Sequence, residues 1–374
     1  MIQPEEFREQ CAVKLLNLIG KASHLRAFVG LDGFVDEIVH VVDKRENAEH
    51  FQRLSTIAAL GERISTAAGK STNIELVNQR TKLGGNGPIM ANALAQLGVK
   101  VTYVGALGYP SLHPVFHDFA QHADVHSIAE AGHTDACEFD DGKIMLTKSA
   151  QLNDITWPNI QARFGRDRFI ELYTSSDLVG FVNWTMIPHM SDLWASLLAE
   201  FCPAPHDVRR KIFFDLADPE KRTAKDIMRA LDLIGAFEKY FDVILGLNEK
   251  EAYEIGRVLG VSSRDRARDD LSLLASDIQR RLSIETLVVH PVAYALAVSQ
   301  GVVSLVDGPY VEKPLITTGA GDHFNSGFCL GKLLGFDNAS SVLIGVTASG
   351  FYVRSARSPS IGDLAQMLRN WPAD

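Results

Sequence analysis

A short turn near the carboxyl end of the chain, Gly319-Ala320-Gly321-Asp322, combines two glycines with an acid. The glycines let backbone N–H groups converge on one point, and the start of a following helix adds unpaired donors and partial positive charge. The pattern therefore predicts an anion site. Asp322 stands at its edge, where a carboxylate with a reference pKa of about 3.9 is ionised at neutral pH and could take a proton from a hydroxyl. The plainer interpretation of this aspartate is a helix N-cap.

A buried helix is expected directly after this turn. Apolar residues recur at roughly helical spacing until Gly335, which ends the pattern. They are Phe324, Phe328, Leu330, Leu333 and Leu334.

A second glycine-rich turn, Gly84-Gly85-Asn86-Gly87, precedes an apolar segment that ends at Gly98 and a strand predicted over Val101–Gly105. Turn, helix and strand form one unit of an α/β sheet. Taken alone, the two glycines could serve only to turn a strand into a helix.

Buried strands alternate with helices from residue 177 onward, which predicts a mostly parallel sheet with helices on both faces. We predict these strands at 178–182, 211–214, 243–245 and 287–289, after an earlier one at 27–30. In such sheets ligands gather beyond the carboxyl ends of the strands. The polar residues at those ends are Asn183, Asp215, Asn248 and His290, together with the Gly319–Asp322 turn.

Together these motifs resemble the ribokinase-like (PfkB) family of carbohydrate kinases. Thr317-Thr318-Gly319-Ala320-Gly321-Asp322-x-Phe324 is similar to its carboxy-terminal signature, and Gly84–Gly98 to its amino-terminal one. The resemblance spans about residues 27–370 and implies one ribokinase-like α/β domain, with a mostly parallel central sheet flanked by helices on both faces and a small β lid. It further implies phosphoryl transfer from ATP, with Mg²⁺, to a hydroxyl of a sugar or related small polyol.

In this resemblance, catalysis rests on the carboxy-terminal turn. Asp322 would be the general base, and the backbone of Gly319, Ala320 and Gly321 would form the anion hole for the transferred group. Both roles agree with phosphoryl transfer being mainly a matter of positioning and charge stabilisation.

The same resemblance implies that the acceptor lies against Gly84, Gly85 and Asn86 and against an aspartate after the first strand. Asp36 precedes an apolar alternation, as the family residue does, and we favour it over Asp32, which lies nearer the strand end. Either aspartate could instead form an Asx turn.

The nucleotide side is implied by Asn248-x-x-Glu251, which follows a predicted strand. Glu251 would hold the waters of a magnesium–phosphate complex, while Asn248 and Thr317 would belong to the nucleotide site. Mg²⁺ suits such a place because it keeps several waters and needs few carboxylates. The alternative is a helix capped by Asn248 with acids in its first turn.

Several positions depart from the family pattern. On the acceptor side, Ile89 replaces an asparagine that contacts the substrate in many members, and His323 replaces a small residue. On the nucleotide side, His290-Pro291-Val292 replaces a Thr-x-Gly that lies beside the nucleotide. Ile316 replaces an aspartate linked to an activating monovalent cation. Two alternatives therefore stay open, a nucleoside kinase of the same fold and a non-catalytic sensor of sugar or nucleotide. A dinucleotide-dependent oxidoreductase is rejected because no Gly-x-Gly-x-x-Gly follows the first strand.

Three further segments complete the predicted domain. An amphipathic packing helix is expected over about 4–20, and lid strands over about 33–43, 73–83 and 125–150. A helical insertion is expected over about 44–72. Its apolar face would comprise Phe51, Leu54, Ile57, Leu60 and Ile64. Lids in the family are often shared with a second subunit, so the resemblance is compatible with a homodimer through the lid.

Composition limits the partners. A net charge of −9 and a pI near 5.7 argue against nucleic acid, because such binders carry a basic surface. No apolar run reaches the length of a membrane span and no basic segment precedes an apolar one at the N-terminus, so we expect a soluble, cytoplasmic protein. The four cysteines form no Cys-x-x-Cys pair, which indicates neither a zinc site nor a disulfide framework. They are Cys11, Cys137, Cys202 and Cys329.

Overall fold

The computed structural model describes residues 4–200, 209–261 and 268–372, and Cys202 lies outside these ranges. Its strands are β1 (Arg26–Leu31), β2 (Phe34–Arg45), β3 (Phe51–Arg53), β4 (Leu76–Gly84), β5 (Lys100–Gly105), β6 (Asp124–Ser127), β7 (Gly132–Phe139), β8 (Gly142–Lys148), β9 (Leu178–Phe181), β10 (Lys211–Asp215), β11 (Asp242–Leu247), β12 (Thr286–Val289), β13 (Tyr294–Ser299) and β14 (Val302–Asp307). Its helices are α1 (Glu5–Asn17), α2 (Ile19–Ala22), α3 (Ile57–Thr66), α4 (Asn86–Gln96), α5 (Trp157–Arg163), α6 (Arg166–Ser175), α7 (Met190–Glu200), α8 (Ala224–Phe237), α9 (Glu249–Val258), α10 (Arg268–Leu282), α11 (Ala320–Leu334), α12 (Asn338–Ser355) and α13 (Ile361–Arg369).

The central sheet has the strand order β14-β13-β12-β11-β10-β9-β1-β5-β6. All neighbours from β12 to β6 run parallel, and β13 and β14 add an antiparallel edge. The chain order reverses direction across the sheet at β1, which lies between β5 and β9. Such a switch point opens a crevice at the carboxyl ends of the strands, where ligands of α/β proteins bind.

Alternate residues of each central strand enter two different apolar layers. In β1, Phe28 packs with the layer under α6, α7 and α8, while Val29 packs with the layer under α4, α11 and α12. Phe214 and Phe213 divide in the same way in β10. Successive side chains of a strand point to opposite faces, and both faces here are covered by helices. The sheet is therefore a rigid support for the loops at its carboxyl edge.

The predicted N-terminal helix lies within the predicted range but ends at Asn17, and the short α2 follows it. Its buried residues Cys11, Ala12 and Leu15 pack in the second apolar layer. Arg369 of α13 pairs with Glu9 at 2.9 Å, which fixes α1 against the last helix. The three cysteines in the described ranges are buried and free.

A smaller sheet forms the lid over the carboxyl edge of the main sheet. It has the order β3-β2-β7-β8, and β4 pairs with β2. The lid strands predicted at 33–43 and 73–83 correspond to β2 and β4. The prediction that all of 125–150 belongs to the lid was wrong, because β6 pairs parallel with β5 in the main sheet and Val125 packs in the second apolar layer.

The helical insertion predicted over 44–72 was also wrong in its first half. Phe51 lies in β3, which pairs with the end of β2, and Leu54 follows that strand. The helix begins only after Thr56, whose hydroxyl accepts the Ala59 N–H at 3.1 Å and caps α3. The apolar spacing that suggested one helix is therefore produced by a short strand followed by a helix.

The two faces of the lid have different roles. Asp36, Thr134 and Met145 share the face that looks onto the main sheet, as their register across β2, β7 and β8 requires. The opposite face is covered in its distal half by the chain itself. Its buried cluster comprises Val39, Val41, Cys137 and Phe139 of the lid with Leu54 and Leu60 from the α3 segment.

None of the helices in the described ranges is both long and apolar enough to span a membrane.

Candidate active site

A cavity of about 350 Å³ lies between the lid and the carboxyl edge of the main sheet. We call it the acceptor cavity. It brings together residues from both glycine-rich turns, from the lid and from the start of α9, although they are far apart in the sequence. Its lining includes Asp36, Gly85, Asn86, Glu251, Gly319 and Asp322.

The carboxy-terminal turn is built as the sequence predicts. Gly319 has φ 93°, α11 begins at Ala320, and the helix ends at Gly335, which has φ 82°. Both glycines occupy left-handed backbone that other residues rarely adopt. The Ala320 N–H donates to the Thr317 carbonyl at 3.1 Å, whereas the Gly321 N–H has no acceptor among the described residues. The Gly321 amide is thus a free donor at this turn, whereas the Ala320 amide is engaged.

Asp322 joins the two glycine-rich motifs. It is buried in the first turn of α11, and its Oδ1 accepts a hydrogen bond from Asn86 Nδ2 at 3.0 Å. Burial raises the pKa of Asp322 to about 8, and the nearby carboxylates of Asp32 and Glu251 add to the shift while the Asn86 amide opposes it. This raised pKa differs from the ordinary carboxylate pKa expected from the sequence, because sequence alone does not show burial.

This shift predicts how stability depends on pH. Folding raises the pKa of Asp322 above its unfolded value of about 3.9, so between pH 4 and pH 8, roughly, the folded state holds more protons and loses stability as pH rises. We expect Asp322→Asn to raise the midpoint of thermal unfolding at pH 8 and to raise it less at pH 5. Asp118→Asn, at an exposed site, is the control. An Asp322→Asn effect that is equal at both pH values would contradict the assignment.

Asp36 lies on the lid face above the second glycine-rich turn. It is directly opposite Lys82 of β4 and beside Thr134 of β7. Burial raises its pKa, and the Lys82 ammonium opposes that shift. A Cβ on Gly84 would lie 2.4 Å from the Asp36 carboxylate oxygens, so only glycine permits this close approach.

Asp32 has a different position from Asp36. It is fully buried, and its carboxylate accepts hydrogen bonds from Asn183 Nδ2 at 2.6 Å and from the Gly87 N–H at 2.9 Å. Burial raises its pKa to about 6. Asp32 thus ties the end of β9 to the start of α4, and it does not line the acceptor cavity.

Asn183 lines the cavity, although it was not among the site residues predicted from sequence. Its φ of 59° is left-handed, and its Oδ1 is buried with no partner in the part of the chain that the structure describes. Because Asp32 holds the amide nitrogen, Oδ1 stays available to a hydroxyl. The sequence signal that could have identified Asn183 as a site residue is its position at the end of a predicted strand.

Asn248 and Glu251 form a capping box at the start of α9. Asn248 Oδ1 accepts the Glu251 N–H at 2.9 Å, and Glu251 Oε2 accepts the Asn248 N–H at 2.8 Å. Glu251 Oε1 also accepts the Asp218 N–H at 2.7 Å. The cap that the sequence offered as an alternative is therefore present. Each carboxylate oxygen has a further lone pair, so the cap does not prevent Glu251 from binding a water of a hydrated cation.

Asp215 stands beside these groups, although the sequence-based site left it out. Burial raises its pKa well above the usual value, and the carboxylates of Glu251 and Asp322 raise it further. Asn325 Nδ2 donates to it at 3.0 Å. The next turn is strained, since Ala217 and Asp218 both have left-handed φ angles, of 56° and 62°. Carboxylates such as Asp215 and Glu251 are the ligand type that Mg²⁺ binds, one or two at a time and together with water.

A second cavity of about 670 Å³ lies beyond Asn248. It is also lined by His290 and Val292, which belong to the segment that departs from the family pattern. The His290 ring packs on Phe324 with centroids 4.9 Å apart, and burial lowers its pKa to about 4, so it is neutral at pH 7. This cavity adjoins the free amide of Gly321, because a Cβ there would lie 3.1 Å from the His290 ring.

His323 supports the turn from behind. Its Nδ1 lies 2.7 Å from the Gly319 carbonyl, its Nε2 lies 2.9 Å from the Ser358 hydroxyl, and its ring stacks on Tyr352 at 3.7 Å. Burial lowers its pKa to about 4, so in the neutral ring Nδ1 donates to the carbonyl and Nε2 accepts from Ser358. The Tyr352 hydroxyl donates to the Thr318 carbonyl at 3.0 Å. The pair holds two successive carbonyls of the turn, which favours a packing role for His323 over contact with the acceptor.

Comparison with known proteins identifies the family. A model described as prokaryotic ketohexokinase matches residues 9–371. The chain belongs to the prokaryotic ketohexokinase family. It is also 30% identical over 341 residues to the ketohexokinase of Haloferax volcanii, a match that covers 91% of this chain and 89% of that protein. The protein is therefore a sugar kinase.

Solved structures confirm the predicted ribokinase-like fold. A carbohydrate kinase from Agrobacterium tumefaciens has a TM-score of 0.62 and 18% identity, with 92% of this chain and 97% of that chain covered. Arabidopsis thaliana ribokinase, solved with ribose and ATP, has a TM-score of 0.62 and 16% identity, with 92% and 98% covered. At these identities the likeness extends to the fold alone.

Proposed function

We propose that this kinase transfers the terminal phosphoryl group of ATP, in the presence of Mg²⁺, to a hydroxyl of a ketohexose. The observation that carries the proposal is the position of Asp322. It lies in one cavity with Asp36 and Asn86, at the start of α11 and next to the free Gly321 amide. A base, a hydroxyl-binding carboxylate and an anion-binding donor thus meet at a single point.

The acceptor cavity has the polarity that a sugar requires. Asp36 and the Asn183 Oδ1 offer acceptors to hydroxyl groups, and Gly85 of the second glycine-rich turn exposes its backbone to the cavity. Gly84 does not line the cavity, and it acts by making room for the Asp36 carboxylate. The buried Asn183 Oδ1, which has no partner among the described residues, favours a ligand with O–H donors, since it would otherwise stay unpaired. Asp32 orients Asn183 for this contact.

In the proposed reaction the acceptor oxygen attacks the terminal phosphorus of ATP while Asp322 takes the hydroxyl proton. The new bond joins the acceptor oxygen to phosphorus, and the bond from phosphorus to the bridging oxygen of ADP breaks. The Gly319–Gly321 backbone stabilises charge on the transferred group, with the Gly321 N–H as the available donor.

The second cavity is the proposed nucleotide site, with Asn248 and Thr317 facing the phosphates. Glu251 and Asp215 would hold hydrated Mg²⁺. When bound, the ion would neutralise phosphate charge and would lower the pKa of Asp322. The lower pKa would favour the ionised carboxylate, which can accept a proton. The neutral His290 ring adds no positive charge to this cavity, whose lining cations are Lys250 and Arg257.

The family match favours a sugar over a nucleoside as acceptor. Retention of Asp322, Glu251 and both glycine-rich turns favours catalysis over a sensor role.

ADP formation with ATP and Mg²⁺ should be measured against a panel of ketohexoses, aldohexoses and nucleosides. We expect the highest kcat/KM with a ketohexose. Higher turnover with a nucleoside would replace the proposal by the nucleoside kinase, and ligand-induced stabilisation without any turnover would replace it by the sensor.

The lid is proposed to close over the site of its own chain. The homodimer compatible with the sequence would need a free apolar face on the lid. The α3 segment covers the distal half of the outer lid face. The proximal half of that face carries the polar residues Glu37, His133 and Asp135. We expect a monomer by light scattering coupled to size-exclusion chromatography at micromolar concentration. A stable dimer that Leu146→Lys on the outer lid face disrupts would contradict this expectation.

A further inference from the structure

A third cavity, of about 610 Å³, adjoins the acceptor cavity, and Ile89 lines both. We call it the rear cavity. Strand β4, helix α4, the start of α11 and the segment after α12 form its walls. Its polar lining includes Arg80, Lys82, Asn92, His323, Tyr352 and Arg357.

The base of the rear cavity is the pair that supports the catalytic turn. His323 holds the Gly319 carbonyl, Tyr352 holds the Thr318 carbonyl, and both residues line the cavity. A molecule bound there would contact the groups that fix the anion hole, without occupying the site of phosphoryl transfer.

The cavity carries unpaired positive charge. The side chains of Arg80 and Lys82 form no hydrogen bond and no ion pair with residues 4–200, 209–261 and 268–372. Partial burial lowers the pKa of Lys82, and its nearest charge is the Asp36 carboxylate across the strand pair. Arg357 also lines the cavity but is paired with Asp363 at 2.8 Å. The lining acid is the exposed Asp118. The charged side chains that line the rear cavity therefore leave a net positive charge.

A polar group in the wall also lacks a partner. Asn92 Oδ1 is buried, and no described residue donates a hydrogen bond to it. An orphaned acceptor of this kind costs free energy unless a ligand or water supplies a donor. Arg80 and Lys82, which suit a phosphate, and Asn92, whose Oδ1 lacks a donor, thus line one cavity.

We propose that the rear cavity binds a small phosphorylated polyol, with Arg80 and Lys82 on the phosphate and Asn92 Oδ1 on a hydroxyl. Arginine and lysine are the side chains that pair best with phosphate. The phosphate has two candidate sources. It belongs either to a separate effector or to the distal end of a phosphorylated acceptor that extends past Ile89.

The first arm of the test measures fructose 6-phosphate binding by calorimetry without ATP, in the presence of saturating fructose. Wild type, Arg80→Gln and Asn92→Leu are compared with Arg281→Gln, which removes an exposed arginine from α10. For a separate effector we expect Arg80→Gln to weaken binding about tenfold, as loss of one charge-assisted contact implies, and Arg281→Gln to have no effect. Inorganic phosphate should compete.

The second arm offers fructose 6-phosphate as the acceptor. If the phosphate belongs to the acceptor, Arg80→Gln should raise its KM about tenfold while kcat and KM for fructose stay unchanged. The proposal is overturned if wild type neither binds nor phosphorylates fructose 6-phosphate, or if Arg80→Gln matches Arg281→Gln in both arms. The first arm needs no turnover, so it is independent of the proposed reaction.

Discussion

Asp322→Asn is expected to lower kcat by a factor of about 10² to 10⁴, the usual contribution of a general base. An asparagine oxygen can still accept the hydrogen bond from Asn86, so the junction of the two glycine-rich turns should persist. It cannot take the hydroxyl proton. The KM for ATP should change little, because the proposed nucleotide contacts lie at α9 and the Gly321 amide. Steady-state kinetics with a ketohexose and ATP would measure the effect.

The matched control for this substitution is Asp32→Asn, which changes another buried aspartate near the turn. Asp32 positions Asn183 and Gly87 and does not line the acceptor cavity. Its replacement should act mainly through acceptor KM and thermal stability. An Asp322→Asn enzyme with near wild-type kcat would exclude Asp322 as the base. A larger loss of kcat in Asp32→Asn than in Asp322→Asn would reverse the two roles.

Asp36→Asn is expected to raise the KM of the acceptor by about 10- to 100-fold. Asp36 is a buried carboxylate on the acceptor side of the lid, and hydrogen bonds to a charged group are worth about 1.5–3 kcal/mol each. The KM for ATP should stay within about twofold, since Asp36 does not line the proposed nucleotide cavity. Kinetics with each substrate varied in turn would separate the two effects.

Glu37→Gln is the control for Asp36→Asn, because the next residue of the same strand faces away from the acceptor. Glu37 lies on the outer face near His133, at 3.4 Å. Its replacement should leave both KM values unchanged. Equal effects of the two substitutions would indicate a general disturbance of the lid in place of a lost acceptor contact.

The architecture could be predicted because its local signals agree with one another. The central strands begin and end within a few residues of their predicted positions, since apolar runs in a sheet covered on both faces are nearly continuous. The turn at Gly319 and the helix to Gly335 follow from residues whose backbone angles favour glycine. Asp36 was preferred over Asp32 from the alternation that follows it, and it alone of the two lines the acceptor cavity.

The errors arose where local pattern competes with long-range packing. Residues 51–54 fit a helix by spacing, but pairing with β2 places Phe51 in a strand. Strand β6 belongs to the main sheet because it follows β5 in parallel, which its sequence does not show. The raised pKa of Asp322 and the position of Asp215 depend on burial among carboxylates that are distant in the chain.

Two of the departures from the family pattern, His323 and Ile89, lie against the Gly319 turn. His323 and Tyr352 tie the catalytic turn to the segment after α12. Ile89 touches the turn at Gly319 and separates the acceptor cavity from the rear cavity, whose walls it shares. These residues contact the same turn that carries Asp322, the proposed base.

We propose that ATP cleavage is coupled to phosphorylation of a ketohexose. The most direct measurement incubates the purified protein with ATP, Mg²⁺ and fructose and determines ADP and sugar phosphate in the same sample, by enzymatic assay and phosphorus NMR. We expect one sugar phosphate for each ADP and the loss of both products in Asp322→Asn. ADP formation without a phosphorylated sugar, or equal amounts of sugar phosphate from wild type and variant, would contradict it.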